Sequence, residues 1–311
     1  MRRGRNIAGR SVTPGRVGLV VAAALLAAAV AAADPAFDVH RVWRDLERIV
    51  GFGPRPSESA ALERTRDYVT SELKKVGVAV RRQAFTVPTP AGPLRMANLI
   101  AALPGRRPEV ILFGGHYDTK RFTTFRFVGA NDGGSSTALL LELGRALSRR
   151  PREYTVWIVF LDGEEALEPD AATVPLWGSR HFVADLRRRG ELGWLKAVVI
   201  ADMIGDRDLD ILREGGSTPW LTDALWRTAR RLGHQRHFRD QVLHVTDDHV
   251  PFLEAGVPAA LLIDFNYPPW HTAGDTLDKV SRQSLGVVGE VLLGALPDIE
   301  AALGRAGEAR P

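Results

Sequence analysis

The sequence predicts a single-domain, three-layer α/β sandwich, with a mostly parallel central sheet and helices on both faces. Short apolar runs rich in β-branched residues alternate with longer stretches of helical periodicity from residue 110 onward. Those runs are nearly continuous in apolar character, as in strands covered on both faces. Most of them end in Gly, Asp, Glu or His, which places polar groups at the carboxyl edge of the sheet.

The elements read in order as follows. Residues 37–49 form a helix, with Val39, Val42, Leu46 and Ile49 at helical spacing, and the Gly- and Pro-containing 51–56 breaks it. Residues 59–76 form a second helix, with Leu62, Tyr68, Val69 and Leu73 on its apolar side and Gly77 as its stop. Strands 78–87 and 96–103 follow, joined by a turn in the Thr-Pro-Ala-Gly-Pro stretch at 89–93. Then come strand 110–113, helix 135–147 after Gly133-Gly134, strand 155–161, helix 178–188, strand 197–201 and helix 219–232. A short helix at 248–255, strand 259–263 and a closing helix at 281–303, capped by Ser281, complete the chain. Such alternation is the pattern of a doubly covered, mostly parallel sheet.

The 311 residues are 45% hydrophobic, enough for a substantial core. With no cysteine, disulfides, thiolate metal sites and cysteine nucleophiles are excluded. Residues 1–33 are set apart. Arg2, Arg3, Arg5, Arg10 and Arg16 precede an apolar run at 17–33 that ends in Ala31-Ala32-Ala33. A basic head, an apolar middle and small terminal residues describe a secretory signal, with an uncleaved membrane anchor as the alternative. Residues 34–311 are expected to be the catalytic domain, exported to the periplasm or outside the cell. Without the leader's five arginines, 36 Lys and Arg face 37 Asp and Glu, so nothing in the charge points to nucleic acid.

Ligand-capable residues cluster where strands end: His116 and Asp118 after 110–113, Asp132 before helix 135–147, Asp162, Glu164 and Glu165 after 155–161, Asp202 after 197–201, and His271 in the loop after 259–263. Singly each has an ordinary reading. Asp132 in Asn-Asp-Gly-Gly suits a turn, and Glu164-Glu165 a solvated loop. Their joint placement along one sheet edge points to a site. Histidine and carboxylates without sulfur suit zinc, with manganese or cobalt as alternatives. His40, His234, His237 and His244 read as surface groups, and His181 carries no assigned chemistry. Residues 187–189 read as a solvated helix end and Gly215-Gly216-Ser217 as a turn.

His116-Tyr117-Asp118-Thr119-Lys120, Val128-Gly129-Ala130-Asn131-Asp132, Phe160-Leu161-Asp162-Gly163-Glu164-Glu165-Ala166, Gly178-Ser179-Arg180-His181, Asp247-Asp248-His249-Val250-Pro251-Phe252-Leu253 and Trp270-His271-Thr272 occur in this order. Together they resemble the glutaminyl-peptide cyclotransferases (glutaminyl cyclases), over residues 37–300. That family shares its fold with two-metal zinc aminopeptidases, which Asp202-Met203-Ile204-Gly205 and the run from His271 to Thr276 resemble equally well. The Asp-Gly-Glu-Glu-Ala segment, with Gly-Ser-Arg-His a dozen residues on, favours the cyclase.

The resemblance implies a zinc aminopeptidase-like fold and cyclisation of N-terminal glutaminyl residues of peptides or proteins, with release of ammonia. It implies Asp132, Glu165 and His271 as ligands of one zinc and Glu164 as general acid/base. Asp202 and Asp247 would be hydrogen-bonded acidic partners, and Trp270 a wall of the substrate pocket. A two-zinc aminopeptidase is the alternative, with His116 and Asp202 on the second ion and Asp132 bridging. A monomer is expected. The sequence departs from animal cyclases in three ways. It has no disulfide. Glu168-Pro169-Asp170 stands where they carry a pocket tryptophan. Ala260 stands where they carry a histidine in the strand before the zinc-binding loop.

Overall fold

The computed structural model describes Met1 and residues 37–89, 92–165 and 174–308. The expected leader, apart from Met1, lies outside them, as do the Glu168-Pro169-Asp170 segment and the tip of the 89–93 turn. The described elements are α1 (Val39–Gly51), α2 (Ala60–Lys74), β1 (Val80–Thr89), β2 (Gly92–Leu103), β3 (Arg107–His116), α3 (Gly134–Ser148), β4 (Tyr154–Leu161), α4 (Trp177–Arg188), β5 (Leu195–Asp202), β6 (Ile211–Glu214), α5 (Pro219–Arg231), β7 (Phe238–Leu243), α6 (Val250–Glu254), β8 (Ala259–Ile263) and α7 (Arg282–Glu308). Every helix and strand expected from the sequence is present. Ser281, the expected cap, accepts the Ser284 N–H on its Oγ at 3.0 Å, and Ser59 Oγ accepts the Leu62 N–H at 3.0 Å at the start of α2.

Six strands form one mixed sheet in the order β1-β2-β4-β3-β5-β8. The last four are mutually parallel. β1 and β2 are antiparallel because the turn that links them is too short for a crossover, and β2 in turn pairs antiparallel with β4. The strand period of two divides the core. In β5, Ala197, Val199 and Ala201 pack toward α1, α2, α3, α5 and α7, while Val198 and Ile200 face α4 and α6. Each fully buried Leu, Ile, Val or Phe contributes about 1.5–3 kcal/mol, and both layers are filled with them.

A second, two-stranded parallel sheet, β6–β7, was not anticipated. Its strands have four and six residues, and Arg239, Asp240, Gln241 and Val242 are exposed, so no apolar alternation announces it. Among the described residues no helix is long and apolar enough to cross a membrane. Pairing of His116 with Leu161, and of Asp202 with Ile263, brings the carboxyl ends of the parallel strands to one level.

Candidate active site

The turn after β4 is anchored before it becomes acidic. Asp162 is fully buried and accepts Ser57 Oγ and the Ala97 N–H, each at 2.8 Å, and an ion-paired hydrogen bond from Arg66. Burial and the nearby Asp118 still push its carboxyl up to about 6, against Arg66. Gly163 then turns at φ +75°, where a Cβ would lie 2.6 Å from Met96 Sδ, and Glu164 and Glu165 follow. Their N–H groups face the two oxygens of Asp118, at 3.4 and 3.3 Å. Arg66→Met leaves Asp162 buried without its cation. We expect a loss of about 3–5 kcal/mol in urea denaturation at neutral pH, and a loss below about 1 kcal/mol would show that the pair does not hold this turn.

Asp132 sits in a loop fixed from three sides. Asp275 accepts the N–H groups of Asn131 and Asp132, at 2.8 and 3.1 Å, and is itself held by Tyr267 Oη at 2.8 Å. Asn131 Oδ1 accepts the Gly205 N–H at 2.7 Å, tying the loop to the segment beyond β5. Arg55, wholly buried, donates to the carbonyls of Tyr117, Val128 and Gly129 at 3.3, 2.7 and 2.9 Å. Burial lowers this guanidinium to about 10, against the pull of Asp275, Asp132 and Asp118. Gly133 closes the loop at φ +71°, where a Cβ would lie 2.4 Å from the Asp118 carbonyl oxygen.

Two groups of side chains able to hold a metal ion share Asp132. In the first, Asp132, Glu165 and His271 bring their donor atoms within 4.8 Å of one another. His271 Nε2 is 3.1 Å from Glu165 Oε1 and 3.4 Å from Asp132 Oδ2. In the second, His116 Nε2 lies 2.9 Å from Asp202 Oδ1 and 3.2 Å from Asp132 Oδ1. Asp132 thus turns one oxygen to each group. Its Oδ2 is buried with no hydrogen-bond partner, as is His116 Nδ1. His271 holds a left-handed backbone, φ +54°, and Met203 beside Asp202 does likewise, φ +46°; such strain concentrates at functional sites.

Electrostatics reinforce the geometry. Burial raises Glu164 well above its ordinary value, and Glu165, Asp247 and Asp248 add to this against His116. Burial and Asp132 bring Glu165 to about 7; burial and Asp202 bring Asp247 to about 7; burial and Asp247 bring Asp248 to about 8. For His271, burial opposes the charge, but Asp132 and Glu165 outweigh it and lift the ring to about 9. This pool of crowded carboxylates favours a cation.

The pool opens into a cavity of about 250 Å³ lined by Asp132, Glu164, Glu165, Asp202, Asp247 and His271. Met203, Val245, Ile263 and Phe265 make the apolar part of its wall, and Lys120 and Thr246 also reach it. Trp270 lines the mouth, 40% exposed, its ring stacked on His271 with centroids 4.1 Å apart. Phe122 and Phe127 meet His271 edge-on, each at 5.9 Å. Asp132, Glu164, Glu165, Asp202, Asp247, Trp270 and His271 therefore line one cavity, and His116 lies against it through Asp132 and Asp202. The other two ligand-capable residues, Asp118 and Asp162, instead anchor the turn after β4. Asp202, expected to pair with Asp247 beside Glu164, has His116 as its nearest partner, because β3 and β5 are neighbours with level ends.

Asp118, Arg55 and Asp275 were missed as supports. Asp118 left a trace, a carboxylate two residues after His116, but Arg55 and Asp275 act through backbone groups far along the chain. His249 was also missed: it is buried, and its Nε2 lies 3.1 Å from Glu214, a carboxylate further held by the Gly216 N–H and Ser217 Oγ. His40 and His244 are exposed as expected. His234 and His237 are half-buried instead, because α7 offers Glu290 to the first at 2.7 Å and the Leu209 carbonyl meets the second at 3.0 Å. His181 stacks on Phe85 at 4.3 Å.

Residues 98–296 match the profile of Peptidase family M28. The chain is 31% identical over 274 residues to the glutaminyl-peptide cyclotransferase-like protein of Bos taurus, covering 77% of this chain and 70% of that protein. Among solved structures, a glutaminyl cyclase from an Acidobacteriales bacterium superposes with a TM-score of 0.81 at 38% identity, covering 86% of this chain and 96% of that one. The glutaminyl cyclase of Porphyromonas gingivalis gives 0.77 at 28% identity, covering 84% and 98%. The chain belongs to peptidase family M28, on its glutaminyl-peptide cyclotransferase branch.

Proposed function

We propose that this chain cyclises N-terminal glutaminyl residues of peptides and proteins to pyroglutamate, releasing ammonia, with one zinc ion held by Asp132, Glu165 and His271. The observation that carries the reading is the convergence of those three side chains in the cavity that also holds Glu164. Zinc bonds nitrogen and oxygen at about 2.0–2.2 Å, so the donors of a tetrahedral ion sit about 3.3–3.6 Å apart. The 3.1 and 3.4 Å separations around His271 Nε2 suit that spacing, and the unpartnered Asp132 Oδ2 suits a ligand. When bound, zinc would supply Lewis-acid polarisation of the γ-carbonyl.

The chain's own residues would do the rest. The α-amine nitrogen bonds to the γ-carbonyl carbon, the amide C–N bond breaks, and a proton passes from the amine to the departing ammonia; no water is consumed. Glu164 takes that proton and returns it, and burial, with the carboxylates crowding it, raises its proton affinity. Asp202 and Asp247 support Glu164 from the same cavity. Trp270 offers a flat wall that holds the side chain folded toward its own amine, which supplies proximity. The apolar lining keeps out the water that would hydrolyse the amide instead. The basic, apolar leader supports export, so the substrates would be met outside the cytoplasm. All the groups come from one chain, which supports a monomer as the working unit.

One observation favours a second reading, a two-zinc aminopeptidase: His116, Asp132 and Asp202 form a further ligand group. Against it, the 2.9 Å approach of His116 to Asp202 suits a shared proton. Mass spectrometry of a Gln-initiated peptide separates the two. Loss of a single ammonia with every residue retained is the expected result, and release of free glutamine would overturn the cyclase reading.

A further inference from the structure

Lys120 ends the run that begins at His116 and lines the same cavity as Asp132, Glu164 and Glu165. Only 7% of it is exposed. Among the described residues its ammonium has no hydrogen-bond or ion-pair partner, although carboxylates crowd the cavity. The stem is buried but the nitrogen itself still reaches water in the cavity. A ligand that fills the cavity displaces that water and must supply an acceptor in its place.

The cavity's polar inventory indicates which acceptor. A glutaminyl N-terminus brings an amine, a γ-amide and the carbonyl of its first peptide bond. The amine and the amide NH₂ donate, and the carboxylates of Glu164, Asp202 and Asp247 can receive them. The γ-oxygen belongs with the ion held by the three proposed ligands. The first peptide carbonyl remains; it only accepts, and carboxylates repel it. Among the described residues Lys120 is the only Lys or Arg in the lining. We propose that Lys120 is a substrate-recognition residue whose ammonium donates to the carbonyl oxygen of the peptide bond following the N-terminal glutaminyl residue. This rests on the cyclase reading. It means that the enzyme grips the start of the peptide backbone as well as the glutamine side chain.

The test compares wild type and Lys120→Met on two substrates: a Gln-initiated dipeptide amide, and 4-aminopentanamide. The second keeps the amine and the amide that cyclise but carries a methyl group where the peptide carbonyl stood. On the dipeptide we expect kcat/KM to fall about 30-fold, the range of a charge-assisted hydrogen bond, mainly through KM. On 4-aminopentanamide the two proteins should have equal rates. Zinc content and melting temperature should be unchanged, and Lys120→Arg should restore part of the loss. Should Lys120→Met fail to fold, Lys120→Gln, a neutral donor of similar length, takes its place. An equal loss on both substrates, or no loss on the dipeptide, would overturn the inference while leaving cyclisation intact. A zinc-loaded wild type that cyclises neither substrate would overturn both.

Discussion

Glu164→Gln should leave the zinc in place and lower kcat for a Gln-initiated peptide by about 10²- to 10⁴-fold, the usual contribution of a positioned general acid/base. The substitution preserves shape and removes only the titrating oxygen. Its backbone N–H faces Asp118, so the turn keeps its anchor. Neighbouring Glu165 carries the proposed metal bond, so ion content should stay at one per chain. Both glutamates line the cavity with raised proton affinity; what separates them is that Glu165 meets His271 at 3.1 Å, whereas Glu164 belongs to neither metal-capable group among the described residues. Steady-state kinetics with metal analysis on the same sample checks both halves. A variant within about threefold of wild type would remove Glu164 from the proton pathway.

His271→Ala should weaken zinc binding by at least about 100-fold. Loss of an outer hydrogen-bond partner of a metal ligand already costs about 10–100-fold, and this change removes a donor atom outright. The ring packs against Trp270, Phe122 and Phe127 on a left-handed backbone, and none of those three side chains can coordinate zinc in its place. Competition with a chromophoric chelator gives the affinity directly. The substitution does not relieve the left-handed backbone, since alanine is no freer there than histidine. Unchanged zinc retention after dialysis would mean that the ion is held elsewhere, and the 116/132/202 group would then be the place to look.

What was legible in the sequence is what obeys a local period. β3, β4, β5 and β8 announce themselves as apolar runs, and the groups that punctuate them fall on the edge where parallel strands end. That is why Asp132, Glu165, Asp202 and His271 could be named together. β6 and β7 were silent because each is short and sends only one or two apolar side chains, Ile211 from β6 and Phe238 and Leu243 from β7, toward the core, too few to make a period. The supports were silent for a different reason. Arg55 reaches carbonyls 62 to 74 residues away, and Asp275 takes N–H groups 143 and 144 residues away. No periodicity records a side chain that serves distant backbone. Half-buried His234 and His237 show the same limit at the surface: their neighbours in sequence are polar, but their partners come from other elements.

The Asp132 loop has one further consequence. Its N–H groups are satisfied by Asp275, its flanking carbonyls by Arg55, and its neighbour Asn131 by the segment after β5. None of these restraints passes through an ion. The order of this loop therefore draws on hydrogen bonds from the chain itself, unlike in small zinc modules that are unfolded without their ion. An ion held at Asp132 as proposed would meet a carboxylate already positioned, and its binding would add to the stability of the folded state by mass action instead of creating that state.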